Sequence, residues 1–131
     1  MATMTSEPTL AEADLAALVP EWIDWAEAAR RLEVTVAKVR TMIRDHELAA
    51  AVPVPGEGQK VPAEFIVTDD VVAAPVKGLP GLLTMMHDNG YDDREIIAWL
   101  YLDQNFPGRG IDALRENRGT EVKRRAQAMA F

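Results

Sequence analysis

A chain of 131 residues with no cysteine and a formal charge of −7 is long enough to bury a core without covalent staples. It has neither a disulfide framework nor a Cys-based zinc site. A sequence pI of about 4.8 argues against loose, charge-driven coating of nucleic acid. The opening stretch MATMTSEPTLAEADLAALVP lacks a basic n-region and a long apolar run, so no signal peptide is expected. No segment approaches the roughly 18 consecutive apolar residues of a membrane span, and the expected compartment is the cytoplasm.

The acidity is unevenly placed. Residues 1–29 hold six acids (Glu7, Glu12, Asp14, Glu21, Asp24, Glu27) and no Lys or Arg, which leaves 15 acids against 14 bases in the rest. A near-neutral body can present a basic face where its acids lie elsewhere. The first twelve residues are small and polar, and 1–19 reads as a flexible acidic leader, with one or two helical turns in EADLAALVP before Pro20 stops them.

A firm helix is expected after Asp24, an N-cap residue with Glu27 three positions on in capping-box spacing. Ala28, Ala29 and Leu32 give it an apolar face. Glu33-Val34-Thr35 forms a turn, and Thr35 caps a second helix from Val36 to about His46. There Val36, Val39 and Ile43 make the core stripe, and Lys38, Arg40, Thr41 and Arg44 fall mostly on the other faces. Two short helices across a tight turn are a helix-turn-helix, whose second helix meets base edges in the major groove with its N-terminal part. The candidate DNA contacts are Thr35, Lys38, Arg40, Thr41 and Arg44: Arg can bond guanine bidentately, and Lys and Thr can reach bases or phosphates. The same residues also fit a structural helical hairpin with solvated charges. Glu33 sits where such turns often carry glycine.

Next comes LAAAVPVPGEGQKVPAEFIV, in which two apolar segments flank GEGQK, a hairpin signal. Pro53, Pro55 and Pro62 cannot donate to a ladder, which puts these strands at an edge. A hairpin directly after a helix-turn-helix is the order of a winged helix, and it favours DNA binding over the plain hairpin. Gln59 and Lys60 are expected at the wing tip, where phosphate or minor-groove contact is usual. GEGQK lacks the spacing of a phosphate-binding loop.

The second half reads as helical. One helix opens at Pro80 with Leu82, Leu83, Met85 and Met86 apolar, and DNG ends it. Another, Asp93 to Leu102, carries Ile96, Ile97, Trp99 and Leu100. DQNFPGRG reads as a loop, followed by a short helix, a break at Gly119 and a last helix capped by Thr120. In the final basic run Lys123, Arg124 and Arg125 are candidates for secondary phosphate contacts, although such runs are more often a solvated helix face. Asp69-Asp70 and Asp92-Asp93 read as helix starts rather than catalytic pairs. Trp22 and Trp25, three apart, are expected to share a helix face and to pack rather than stack on bases. His46 and His87 show no ligand spacing, so no metal and no cofactor are expected. No Ser-His-Asp or Cys-His set exists, and the chain does not read as an enzyme.

WAEAARRLEVTVAKVRTMIRDHEL resembles the excisionase-like and MerR-like winged helix-turn-helix pattern. VKGLPGLLTMMHDNGYDDREIIAWL followed by EVKRRAQAMAF resembles a small actinobacterial family of DNA-binding regulators, over about residues 20–131. The resemblance implies a mainly α fold with a small β-hairpin wing, a winged helix-turn-helix at 20–67 and a C-terminal helical subdomain at 68–131 packed on it. It implies double-stranded DNA as partner, hence residence on the nucleoid when bound, and a role in transcription regulation. The family's mycobacterial member is a substrate of a membrane-anchored serine/threonine protein kinase. Thr3, Thr5 and Thr9 are therefore the candidate acceptors in the leader, Thr9 first because acids flank it. The competing reading is an antitoxin-like interaction module, docking a partner or a second copy through the face from Leu82 to Met86 and Trp99.

Overall fold

The computed structural model describes residues 10–68, 71–106 and 108–129, with the backbone alone over 103–106. Seven α-helices are described: α1 (Leu15–Leu18), α2 (Trp25–Leu32), α3 (Val36–Arg44), α4 (Leu79–Asp88), α5 (Asp93–Tyr101), α6 (Gly110–Arg115) and α7 (Gly119–Ala128). Three two-stranded antiparallel sheets join them: β1 (Trp22–Ile23) with β2 (Val61–Pro62), β3 (Ile66–Thr68) with β4 (Ala73–Pro75), and β5 (Asp103–Phe106) with β6 (Gly108–Arg109). The architecture is mainly α with small sheets, as expected.

Side chains start several helices. The carboxylates of Asp14 and Asp24 and the hydroxyl of Thr35 accept from backbone N–H groups of the first turns of α1, α2 and α3. Asp92 and Glu95 close a reciprocal capping box on α5. Glu27 does not reach back to the Asp24 backbone in the same way. Its carboxylate instead takes Arg30 (2.6 Å) and Arg31 (2.8 Å), which hold it down at about 2.

Four helices stop alike. Glu33, His46, Gly90 and Asn117 are left-handed, with φ of 58°, 63°, 96° and 64°. At each, the next residue's N–H reaches back five positions: Val34 to Ala29, Glu47 to Met42, Tyr91 to Met86 and Arg118 to Ala113. Only one of the four is glycine. Glu33 and His46 carry a side chain in a conformation that costs about 1 kcal/mol or more.

α5 is the centre of the core. Ile96, Ile97, Ala98, Trp99, Leu100 and Tyr101 are all buried, so this helix is enclosed on every side. The N-terminal 3-10 turn (Leu10–Glu12), α1, α4 and α6 pack around it. α6 comes close enough that a Cβ on Gly110 would lie 3.1 Å from Leu100 Cδ2 and 3.4 Å from the Leu100 backbone.

Several expectations need correction. Residues 10–19 are not a loose leader: Ala13, Leu15 and Val19 are in the core, and the Arg94 guanidinium donates to the carbonyls of Ala11 (2.9 Å) and Ala13 (2.7 Å). Thr3, Thr5 and Thr9, the candidate acceptors, lie in residues 1–9, outside the described part. Of the six acids in residues 1–29, Glu7 lies outside the described residues; among the others Asp14 and Asp24 act as caps and Glu27 as the anchor of two arginines. No helix starts after Asp69-Asp70; those two lie outside the described residues, and the segments flanking them are the strands β3 and β4. The helical part thus begins at Leu79, not 68, and the β3–β4 hairpin packs on α2. DQNFPGRG contains β5 and β6 rather than only loop. Gly119 opens α7 instead of breaking it, and Thr120 lies inside the helix. Trp22 sits in β1 and Trp25 opens α2, so they share no helix.

Candidate nucleic-acid interface

α2, the turn at Glu33-Val34 and α3 pack as a helix-turn-helix. Ala28 and Ala29 are buried in α2, Val39 and Met42 in α3. Small side chains let the two helices approach. Val36 is not in the core stripe: it is 41% exposed at the start of α3, and Met42 fills the inner face instead. Val36 and Met42 both lie three positions from Val39, on opposite sides of it along the helix, so spacing alone does not separate them; the elements packed against α3 cover Met42 and leave the first turn open.

The outer face of α3 then reads Thr35, Val36, Ala37, Lys38, Arg40, Thr41 and Arg44, of which only Thr41 is partly covered. Thr35 Oγ1 accepts from Lys38 N at 3.0 Å, and Thr41 Oγ1 donates to the Ala37 carbonyl at 3.2 Å. Both hydroxyls are engaged by the helix itself. Arg44 leans on its neighbour Asp45 at 3.2 Å, a surface pair of little energetic weight. Lys38 and Arg40 form no ion pair among the described residues; Arg40 lies 6.0 Å from the centre of the Trp25 ring, at the limit of a cation–π contact. By contrast, Arg30 and Arg31 of α2 are taken by Glu27, and Arg31 also by Glu21 at 3.5 Å. Acids of the N-terminal stretch thus neutralise α2, while Lys38 and Arg40 of α3 have no acid partner among the described residues. Val36, expected in the core stripe, and Ala37 are instead exposed apolar groups at the head of the helix, suited to thymine methyls.

The wing is shorter than expected. One bridge closes it, Ala51 to Lys60 (2.8 and 3.0 Å), before β2 pairs with β1. Prolines at 53 and 55 deny the loop a ladder, and it turns at Pro55-Gly56 instead, with Gly56 at φ 90°. Lys60 therefore stands at the base of the wing, its amine 3.8 Å from Glu57, and not at the tip; Gln59 is exposed beside it.

Of the C-terminal cations, Arg115 donates to the Glu64 carbonyl (2.8 Å), and Arg118 is held by Glu116 (2.7 Å) and Glu121 (3.2 Å). Lys123, Arg124 and Arg125 are exposed on α7. Lys123 borders a cleft that Asp45, Glu47 and Asp88 also line, an unfavourable setting for a phosphate.

Residues 10–66 match the family model for the DNA-binding protein Rv2175c winged helix-turn-helix domain, and residues 76–130 match the Rv2175c C-terminal domain of unknown function. The chain is 37% identical over 121 residues to the DNA-binding protein Rv2175c of Mycobacterium tuberculosis, covering 82% of this chain and 80% of that protein. The chain belongs to the Rv2175c family. An NMR structure of Rv2175c is similar with a TM-score of 0.69 at 35% identity, over 85% of this chain and 82% of the other. The Rv2175c fold thus spans both halves of the described chain, and its N-terminal half is a winged helix-turn-helix. Among the described residues no helix is long and apolar enough to cross a membrane.

One expected surface is not available. Leu82, Leu83, Met86 and Trp99, the face assigned to a partner under the interaction-module reading, are buried in the chain's own core, and Met85 is half-buried.

Proposed function

We propose that this member of the Rv2175c family binds double-stranded DNA through α3 and acts as a transcriptional regulator. The observation that carries it is the pair of exposed cations, Lys38 and Arg40, on the outer face of α3 and free of any acid partner among the described residues. Thr35, Thr41 and Arg44 flank them, with Gln59 and Lys60 as contacts from the wing. Thr35 and Thr41 orient α3 more than they read bases, since their hydroxyls are already engaged. Lys123, Arg124 and Arg125 are secondary contacts at most. The test is titration with random genomic fragments across a salt series. Two to four phosphate contacts should give a fall of roughly 0.9 log units in affinity per log unit of salt for each contact. Affinity that ignores salt overturns the reading.

A regulatory arm goes with it. The leader up to Thr9 would be phosphorylated by a serine/threonine protein kinase, at Thr9 before Thr5 or Thr3. Phosphate adds about −1.5 to −2 charge to a chain that is already acidic, so the phosphorylated chain should bind DNA more weakly at low salt. Equal or tighter binding by the phosphorylated chain sinks this arm. Truncation is informative only up to residue 9, because Leu15 and Val19 are part of the core.

A further inference from the structure

The two histidines, 41 positions apart in sequence, stack on one another: their ring centroids are 3.8 Å apart and the planes 19° from parallel. Three elements bring this about. His46 is the left-handed residue that stops α3, His87 sits in the last turn of α4, and Asp93 opens α5. His87 Nε2 lies 2.6 Å from Asp93 Oδ1, and Asp93 Oδ2 accepts from the Ala50 N–H at 3.1 Å. One donor atom from each of His46, His87 and Asp93 falls within 4.8 Å of the others. All three residues are half-buried, and His46 Nδ1 is buried with no hydrogen-bond partner.

We propose that His46, His87 and Asp93 form a binding site for a divalent transition-metal ion of the zinc class, tying the end of α3 to the C-terminal helices. Two imidazoles and a carboxylate are the donor set that Zn²⁺ and its first-row neighbours prefer, whereas Mg²⁺ and Ca²⁺ favour all-oxygen shells. Zinc takes such donors at about 2.0–2.2 Å in a tetrahedron, which needs donors roughly 3–3.5 Å apart; the three here lie within 4.8 Å of one another, so a small inward shift closes the site. Three protein ligands leave a fourth position for water. Asp45, Glu47 and Asp88 line the cleft beside His46 against a single cation, Lys123, and bias it towards positive ions. An ion would also satisfy a buried nitrogen whose unmet hydrogen bond costs about 1–3 kcal/mol. Parallel rings cannot both aim in-plane lone pairs at one ion, so closure requires His46 to turn about its Cβ–Cγ bond. With no hydrogen bond at Nδ1, the stack on His87 is the contact it must give up. The inference does not depend on DNA binding.

The tag-free full-length chain, stripped with a chelator and dialysed, is titrated calorimetrically with ZnCl2, with Co²⁺ absorption reporting coordination and MgCl2 as the control. The expected result is one Zn²⁺ per chain, a raised Tm, Co²⁺ bands of a four-coordinate N/O site and no response to Mg²⁺. His46→Asn, which keeps a residue that tolerates the left-handed turn, and His87→Gln should each weaken Zn²⁺ binding by about tenfold or more. Circular dichroism confirms that each variant is folded; if one is not, the other and the Co²⁺ spectrum of the parent chain decide. No Zn²⁺ binding by the parent chain, or equal Zn²⁺ binding by the folded variants, overturns the proposal.

Discussion

Replacing Lys38 and Arg40 together by alanine should lower the affinity for duplex DNA by about ten- to a hundredfold near 0.1 M salt and make the salt dependence shallower by about two contacts. The size follows from where the two charges stand. Both side chains are exposed on α3, and no carboxylate among the described residues competes for them. A base-edge contact from Arg40 is worth about 1–3 kcal/mol, and a phosphate contact from Lys38 adds about one unit of salt slope. Folding should be nearly untouched, within about 0.5 kcal/mol, since neither side chain supports the core. Anisotropy titrations of parent and variant over a salt series measure both quantities. Arg44→Ala should do less, because Asp45 already shares that charge. A double variant with parent-like affinity and slope would remove α3 from the interface.

The largest effect on stability is expected at α5. Leu100→Ala should destabilise the chain by about 3 kcal/mol, within the usual 2–5 for such a deletion in a core. Leu100 is fully buried, and the Gly110 backbone of α6 lies close against it, so the walls have little freedom to collapse into the space. Total stability for a domain of this kind is about 5–15 kcal/mol, and the loss should appear as a fall in Tm of about 10 °C. Urea unfolding followed by circular dichroism gives the number. A loss under about 1 kcal/mol would mean that α5 is not the centre of a single core.

Local rules made most of the N-terminal half legible. Asp24 and Thr35 cap the helices that their positions predict, and in the second half Pro80 lies in the first turn of α4 and Asn89-Gly90 closes it. Glu33 was visible as an oddity in a glycine position, and it does take the left-handed conformation. Short strands were harder. Those of two to four residues, such as β5 and β6, carry too few side chains for an alternation to stand out, and their pairing is decided by the partner strand. Helix phase was harder too. Val36 and Met42 exchange roles because burial depends on what α3 packs against, which periodicity alone does not specify. Pro53 and Pro55, without N–H donors, leave the wing a single bridge, while Pro62 sits in β2 against Trp22; the position of that bridge puts Lys60 at the base of the wing and not at its tip.

By itself, the sequence determined the composition of this protein and the order of its main helices: a helix-turn-helix, then a wing, then an apolar helical half, with nearly all of the net negative charge in the first 29 residues. Capping and periodicity act within a few residues, so they can be read along the chain. Which charges remain free was decided only in three dimensions. Glu27 neutralises Arg30 and Arg31, Glu64 is approached by Arg109 at 3.6 Å, and Lys38 and Arg40 are left without an acid partner among the described residues. The same holds for the histidines. Nothing in their spacing joins His46 to His87; the left-handed stop of α3 and the packing of α4 on α5 do, because long-range contacts depend on how helices pack and not on how far apart their residues lie in the chain.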